Sequence, residues 1–275
     1  MRFETRNLVI PLCLVLATPM GFANLQDGNG VINERQTGQA EAFRAPVFHQ
    51  ATTGRTATVE DRAGKQLGTF QEFIFDKRTG EIREVVVHTQ GEDARDCVVP
   101  YDRFSWKQKE RKLVLLASAE DLAGFPVFDP REYRPDAKGE AKEGETEKKS
   151  RKKKDAFLSS DVATFEIAGE DGRFGRVAGL IIEPVDGLVA FVQVADNSGA
   201  PDPLVLPWSA ITYEKATEEK GPALALAMPL AELRSAPTLE GGEAKALEEE
   251  KFLHQVFRFF GTAMPAQWVR PEPGQ

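Results

Sequence analysis

One block of sequence occurs twice in this chain, and the repeat restricts the possible folds more than any single residue does. The first copy, LGTFQEFIFDKRTGEIREVVV, spans residues 67–87, and the second copy, FGRVAGLIIEPVDGLVAFVQV, spans residues 174–194. The same constant shift aligns the later segment VVPY (98–101) with VLPW (205–208). A register maintained across several strands and turns predicts two similar β-modules.

The matched positions are turn glycines and apolar strand residues. Gly80 and Gly187 lie in tight loops, where glycine readily adopts the positive φ that closes a hairpin. The strands of the first module alternate residues that face the core with residues that face the solvent. The predicted strands cover residues 56–60, 67–76, 82–89, 96–100, 104–106 and 112–116.

Composition and the repeat together divide the chain into six segments. They are a signal peptide (1–23), a flexible lead-in (24–53), module 1 (54–129), a charged flexible linker (130–155), module 2 (156–240) and a C-terminal amphipathic helix with a tail (241–275). A short helix with Ser118 as its N-cap closes module 1, and residues 229–237 match it in module 2. The length of the chain suits two small domains and their connections.

The order of these motifs resembles the PRC-barrel family. The pattern is a glycine before a strand, an apolar strand ending in an acid, a turn glycine, a valine-rich strand, an apolar–proline–aromatic step and a closing helix. It comprises Leu67-Gly68, 73–76, Gly80, 85–87, 98–101 and 113–115 in module 1, and Phe174-Gly175, 180–183, Gly187, 192–194, 205–208 and 224–226 in module 2. The resemblance implies a mainly β fold with two small, strongly bent antiparallel β-barrels, each with a short closing helix, plus a C-terminal helix. It also implies a binding or assembly module without chemistry of its own, and it transfers no catalytic residue.

The N-terminus has the pattern of an export signal. Arg2 and Arg6 precede an apolar stretch over residues 8–20, and small residues lead up to Ala23. This pattern predicts cleavage near Ala23 and a soluble product in the periplasm or outside the cell. The alternative is a buried N-terminal element of a cytoplasmic protein. After cleavage Cys97 is the remaining cysteine, so no internal disulfide is expected.

Apolar residues become rare in residues 130–155, and this segment ends in a basic cluster. Such a composition cannot bury enough apolar surface to offset the entropy of ordering, which predicts a flexible linker. The cations could contact a nucleic acid or an anionic lipid surface. The alternative, a solvated linker balanced by glutamates, is favoured because no aromatic residues are interleaved for base stacking. The candidate anion-contact residues are Lys148, Lys149, Arg151, Lys152, Lys153 and Lys154.

The C-terminal segment contains a predicted helix over residues 243–260, with acids near its start and Gly261 at its end. Its apolar residues fall on one face at helical spacing, so they could dock on their own domain or on a partner. Aromatic residues with a polar tip suit the mouth of a barrel. The candidate partner-binding residues are Trp106, Trp208, Tyr213, Phe252, Val256, Phe257 and Phe260.

No spacing in the sequence indicates a metal, a cofactor or a catalytic site. His49, His88 and His254 lie far apart, and Cys97 has no CxxC partner. The chain also lacks a GxSxG elbow and a phosphate-binding glycine loop after a strand. We therefore expect no cofactor and no enzymatic activity.

The function that these features favour is an exported, non-enzymatic scaffold for protein binding or assembly, with a protein of the cell envelope as its partner. The formal net charge of −8 argues against general nucleic-acid binding. One alternative is a barrel that holds a small ligand or is a degenerate enzyme. The other is binding to a nucleic acid or a membrane surface through the basic cluster.

Overall fold

The computed structural model describes residues 46, 48–51, 57–107, 110, 112–134, 153, 155–217 and 221–269. The strands in chain order are β1 (His49–Ala51), β2 (Thr58–Glu60), β3 (Gln66–Asp76), β4 (Ile82–Thr89), β5 (Asp96–Pro100), β6 (Phe104–Lys107), β7 (Lys112–Leu115), β8 (Ala156–Leu158), β9 (Glu166–Gly169), β10 (Gly172–Glu183), β11 (Leu188–Asp196), β12 (Leu204–Pro207), β13 (Thr212–Glu214) and β14 (Ala223–Ala225). The α-helices are α1 (Ala119–Gly124), α2 (Ser159–Val162), α3 (Leu230–Leu233) and α4 (Glu250–Phe259). Short 3-10 helices cover Tyr101–Arg103, Pro130–Glu132, Trp208–Ala210, Glu240–Gly242, Ala244–Glu248 and Ala266–Trp268.

The strands form two sheets with the same order. Sheet 1 runs β5-β4-β3-β2-β7-β6, and sheet 2 runs β12-β11-β10-β9-β14-β13. In both sheets one central pair is parallel, β2 with β7 and β9 with β14. The chain is thus mainly β, with few helices, as the repeat predicts. Within the described residues β5 does not pair with β6, nor β12 with β13, so neither sheet closes into a barrel.

The longest strand of each sheet is bent at equivalent places. The register of β3 against β4 shifts between Phe70 and Glu72, and that of β10 against β11 shifts between Val177 and Gly179. The constant shift that aligns the repeat also relates these two positions. Since a bulge bends its strand and increases the local twist, both sheets curve at the same point. A second equivalent pair of shifts lies at Ile74/Phe75 and Ile181/Ile182.

Gly68 and Gly175 are required by a close approach between neighbouring strands. A Cβ atom added at Gly68 would lie 2.2 Å from the carbonyl oxygen of His88. At Gly175 the added atom would lie 2.1 Å from the carbonyl oxygen of Ala195. Only a residue without a side chain fits at either position.

Each sheet receives a short strand from the other half of the chain. Strand β1, in the predicted lead-in, pairs antiparallel with β10, so that Ala51 lies opposite Leu180. Strand β8, at the start of the predicted module 2, pairs antiparallel with β3, so that Leu158 lies opposite Ile74. Because β2 and β9 occupy only the first parts of β3 and β10, the second parts accept the incoming strands. The two halves of the chain therefore exchange strands reciprocally.

One hydrophobic core is continuous between the two sheets. It includes Phe75 and Val87 from module 1 together with Ile182 and Trp208 from module 2. Burial of each such side chain contributes about 1.5–3 kcal/mol to the free energy of folding. The modules thus share the largest part of their apolar stabilisation.

The opposite face of each sheet is covered by a different segment. On sheet 2, helix α4 and the 3-10 helix Ala244–Glu248 cover Phe191 and Val205. On sheet 1, Tyr133 packs in one cluster with Val98, the residue equivalent to Val205, and with Leu158 of β8. The predicted helix over 243–260 is divided, because Glu249 has an extended backbone with ψ 112°. The segment consequently turns between its 3-10 helix and α4.

The capping prediction for α1 is confirmed. The Ser118 hydroxyl accepts a 3.2 Å hydrogen bond from the backbone N–H of Asp121, whose carboxylate accepts a 2.8 Å bond from the Ser118 N–H. This capping box fixes the start of the helix. The predicted signal peptide, and most of the predicted lead-in and linker, lie outside the described residues. Among the described helices, none has the length and apolar character needed to span a membrane.

Candidate functional site

Each module presses one aromatic ring against a turn glycine of the other module. A Cβ atom added at Gly187 would lie 2.6 Å from Cε1 of Tyr101, and one added at Gly80 would lie 2.8 Å from Cδ1 of Trp208. Both glycines have positive φ, +67° and +74°, as predicted. The Tyr101 hydroxyl also donates a 2.6 Å hydrogen bond to the carbonyl oxygen of Pro184. The repeat relates these two contacts to each other, so the same surface of each module faces the other.

Backbone groups next to the turn glycines pair across the same junction. The N–H of Ile82 donates to the carbonyl oxygen of Gly187 at 2.7 Å. Reciprocally, the N–H of Val189 donates to the carbonyl oxygen of Gly80 at 2.8 Å. Buried backbone groups need such partners, and here each module supplies those of the other.

Two of the predicted partner-binding aromatics lie at this junction. Trp208 is 4% exposed and packs edge-on against Phe75 with ring centroids 5.2 Å apart. Tyr213 is half-buried and packs against Phe157 at 4.8 Å, and the ammonium of Lys77 lies 4.8 Å from the centroid of the Phe157 ring. Phe157 belongs to the exchanged strand β8. Trp208 thus contacts the other module of its own chain.

Trp106 has a different position, on β6 opposite Leu113 of β7, and is half-buried. Among the described strands β6 pairs with β7 alone, so it is a terminal strand of sheet 1. The backbone of a terminal strand can accept a further strand from a partner. Trp106 and this strand therefore form one candidate contact surface.

The apolar face of α4 docks on its own chain. Leu253, Val256 and Phe257 are buried in the cluster over sheet 2. Phe252 and Phe260 lie at its margin and are half-buried. Of the predicted partner-binding residues in the C-terminal segment, Phe252 and Phe260 are therefore the ones that remain partly exposed.

Trp268, which sequence reasoning missed, holds the end of the tail. Its ring packs edge-on against Phe48 at 5.3 Å and against Phe257 at 6.3 Å. Its indole N–H donates a 2.9 Å hydrogen bond to the carboxylate of Asp186. The signal for this contact was the isolated Trp after the apolar helix, since a buried Trp normally finds an acceptor for its N–H.

One residue of the predicted basic cluster, Lys153, lies within the described residues. It forms an ion pair with Glu132, and its ammonium lies 5.6 Å from the ring centroid of Tyr133. The other candidates for anion contact, Lys148, Lys149, Arg151, Lys152 and Lys154, lie outside the described residues. Lys153 therefore docks on the start of the predicted linker.

A polar cleft opens on sheet 1 beside α2. Here the Ser160 hydroxyl donates a 2.6 Å hydrogen bond to Oε2 of Glu72, and the Ser160 N–H donates to the same oxygen at 3.2 Å. The Ser159 hydroxyl oxygen accepts a 3.1 Å bond from the N–H of Phe73. The cavity has a volume of about 140 Å³ and is lined by Gln71, Glu72, Val86, Asp96, Phe128, Ser159 and Ser160.

Glu72 is the buried carboxylate of this cleft. Burial raises the pKa of its carboxyl above the ordinary value, although the hydrogen bonds from Ser160 act in the opposite direction. The charge of Asp161 raises the pKa further, whereas that of Arg134 lowers it. Desolvation is the largest of these effects, so the pKa of Glu72 is higher in the folded chain than for an ordinary glutamate.

The acids that precede the turn glycines accept hydrogen bonds from local N–H groups. Oδ1 of Asp76 accepts bonds of 2.8 and 2.9 Å from the N–H groups of Arg78 and Thr79, and Oδ2 pairs with Arg83. Burial alone would raise the pKa of Asp76, but these interactions together lower it. The equivalent Glu183 is buried and accepts a 2.6 Å bond within its own turn.

The remaining candidate ligands are dispersed. Nδ1 of His88 lies 2.8 Å from Asp96, and His254 is on the exposed side of α4. The side chain of His49 lies outside the described part of the chain. Within the described part, no set of three or more His, Cys, Asp or Glu side chains could hold a metal. Cys97 is buried, with its Sγ 3.7 Å from a carbonyl oxygen of α1.

The bent β3, the turn glycine after it and the closing helix α1 together define the class of the first module. Residues 49–129 match the family model of the PRC-barrel domain. The chain therefore contains a PRC-barrel domain, and the matched residues include β1 together with module 1. A search of curated proteins gave no match.

Proposed function

We propose that the chain is an exported, non-enzymatic scaffold for protein binding or assembly, built from two PRC-barrel-like modules. The family match of residues 49–129 is the observation that carries this proposal. The structural roles of the matched positions support it, because Gly68, Gly80, Asp76 and Tyr101 form turns, close approaches and module contacts. Residues with these roles maintain a scaffold and leave the outer surfaces for a partner.

The proposal extends the barrel description to both modules. The second module has the same strand order, bulges at equivalent positions and the same turn glycine as the first. The sharp bends in β3 and β10 would curl each sheet toward a small, strongly bent barrel. The closing helices α1 and α3 occupy equivalent places at the ends of the two modules.

Two surfaces suit a protein partner. The first is the terminal strand β6 with Trp106, which could accept an extended segment of a partner by strand addition. The second is the margin of α4 at Phe252 and Phe260, where half-buried aromatic rings provide apolar contact beside polar groups.

Site-specific photo-crosslinking in the native cell envelope tests the first surface. A photoreactive residue replaces Ser105, which is exposed on β6, and the matched control replaces Ala63, an exposed turn residue of the same sheet. We expect a discrete adduct from position 105 that is suppressed by excess unlabelled chain, and none from position 63. Equal labelling from both positions, or none from either, would contradict a partner on β6.

Export requires a separate test. The mature N-terminus of the chain, isolated from fractionated cells, should begin at Asn24, directly after the proposed cleavage site. Recovery of the chain from the cytoplasm with Met1 or Arg2 at its N-terminus would contradict export without affecting the binding proposal.

A second candidate function is the binding of a small polar molecule in the cleft beside Glu72. The observation that favours it is a cavity of about 140 Å³ lined by carboxylates, hydroxyls and one amide. Ligand-observed NMR with a mixture of small polar metabolites should show a binder whose signal is lost in Ser160→Ala. A control variant, Ser198→Ala, lies in an exposed turn of module 2 and should retain it.

A further inference from the structure

We infer that the junction between the two modules is a complete protein–protein interface that needs no covalent connection. The N-terminal half of the chain would therefore hold the C-terminal half after the chain is cut between them. It follows that a second copy of this chain can supply either half. This inference concerns recognition between the modules and does not depend on the proposed external partner.

The exchanged strands give the junction its backbone hydrogen bonds. Strand β1 belongs to the N-terminal half and pairs with β10, whereas β8 belongs to the C-terminal half and pairs with β3. Strand addition of this kind is a common mode of recognition between separate chains, because the ladder bonds supply affinity. Here it occurs twice, once in each direction, and the turns at Gly80 and Gly187 add two further bonds.

Side chains from both halves form the apolar centre of the junction. Phe75 of β3 packs against Phe157 at 6.0 Å and against Trp208 at 5.2 Å. All three side chains are at most 5% exposed. A dry aromatic centre of this kind is typical of obligate interfaces, which resemble a domain core cut in half.

Polar contacts at the margin orient α2 on the N-terminal half. Arg134, at the end of the described N-terminal half, donates hydrogen bonds of 2.6 and 3.0 Å to the carboxylate of Asp161. Ser160 donates to Glu72 of β3. These contacts position β8 and α2 on the N-terminal half.

The covalent connection adds to this interface by raising the effective concentration of one half near the other. A tether of this length raises the local concentration of one half near the other to about the millimolar range. An interface with exchanged strands and a shared core is expected to hold at far lower concentrations. Exchange of identical elements between copies is then a low-cost route to a dimer.

Cleavage of the folded full-length chain tests the inference. A recognition sequence for a site-specific protease is inserted between Gly144 and Glu145, and the purified chain is cut under native conditions. Both halves should elute together in size-exclusion chromatography at micromolar concentration, with the mass of the uncut chain. Elution of the cut halves as two separate species would overturn the inference.

A pair of glycine variants in the same cleavable chain separates the interface from general strain. Gly187→Ala places a Cβ against Tyr101, whereas Gly199→Ala adds a Cβ at a similar φ of +80° with no atom within 4 Å. The dissociation constant of the cut halves should increase at least about tenfold in the first variant and about twofold or less in the second. Equal effects would show that the ring contact is not part of recognition and would count against the inference.

A mixing experiment with two differently tagged samples of the cut chain tests assembly between copies. After they are unfolded together and refolded, native mass spectrometry should detect hybrid pairs with one half from each sample. Failure of either tagged half to recover with the other sample's partner would contradict assembly between copies.

Discussion

The hydroxyl of Tyr101 in module 1 donates a 2.6 Å hydrogen bond to the carbonyl oxygen of Pro184 in module 2, while the ring of Tyr101 fills the space above Gly187. A single side chain thus satisfies a buried backbone acceptor and closes an apolar contact. Both interactions cross the junction, so substitution of Tyr101 tests how strongly the stability of each module depends on the other.

Replacing Tyr101 with Phe should lower the free energy of unfolding by about 1 kcal/mol, because the Pro184 carbonyl loses its donor while the ring remains. Chemical denaturation followed by circular dichroism would measure this. Both modules should lose stability in one transition, since they share a core. An unchanged midpoint, or a loss confined to one of two separate transitions, would contradict the role assigned to this bond.

Glu72→Gln should remove a pH-dependent component of stability. Because the pKa of Glu72 is raised in the folded chain, that component is greatest below the ordinary value of 4.5 and declines as the pH rises through the folded pKa. The Gln variant keeps an oxygen that can accept the Ser160 bonds, so its stability should fall less between acidic and neutral pH. Unfolding measured from pH 4 to 8 would show this. The exposed control Glu92→Gln should follow the unmodified chain, and a steeper decline in the Glu72 variant would refute the assignment.

Asp76→Asn should change the pH dependence of stability in the direction opposite to that of Glu72→Gln. The pKa of Asp76 is lowered in the folded chain, so its contribution is present above the ordinary value of 3.8 and is lost as the pH falls through the folded pKa. Asn keeps the acceptor for the turn N–H groups but loses the charge that faces Arg83. We expect a loss of about 1 kcal/mol at neutral pH, after allowance for solvent screening, that disappears in acid. A loss independent of pH would argue against the charge interaction.

Trp268→Ala should destabilise the chain by about 3–5 kcal/mol, the usual result of removing a large buried aromatic side chain. Val269→Ala is the matched control, because this neighbour is 43% exposed and its truncation should change stability by less than about 0.5 kcal/mol. Thermal and chemical denaturation of both variants would measure these changes in stability. Similar small effects at the two positions would mean that the docked tail adds little stability.

Much of the fold could be predicted from local pattern. Gly80, Gly187 and the strands of the repeat were predictable because turn conformation and alternating burial leave a direct mark on nearby residues. The capping box at Ser118 was predictable for the same reason. The equivalence of the bulges in β3 and β10 also follows from the single shift that aligns the two copies.

The exchange of β1 and β8 could not be predicted, because it depends on residues that lie far apart in the chain. Residues 49–51 read HQA and lie in a polar segment with no alternating pattern. The same limit applies to Trp208. Its amphipathic side chain suits an exposed barrel mouth, and only the neighbouring module explains its burial.

The exchange also sets an order on folding during synthesis. The second part of β3 has a free edge until β8 has been made, and β1 must wait until β10 emerges much later. A nascent chain paused between the halves would therefore expose one unpaired edge and the apolar face around Phe75. Chaperones that bind extended apolar segments would have their clearest target in that interval, and completion of module 2 would remove it.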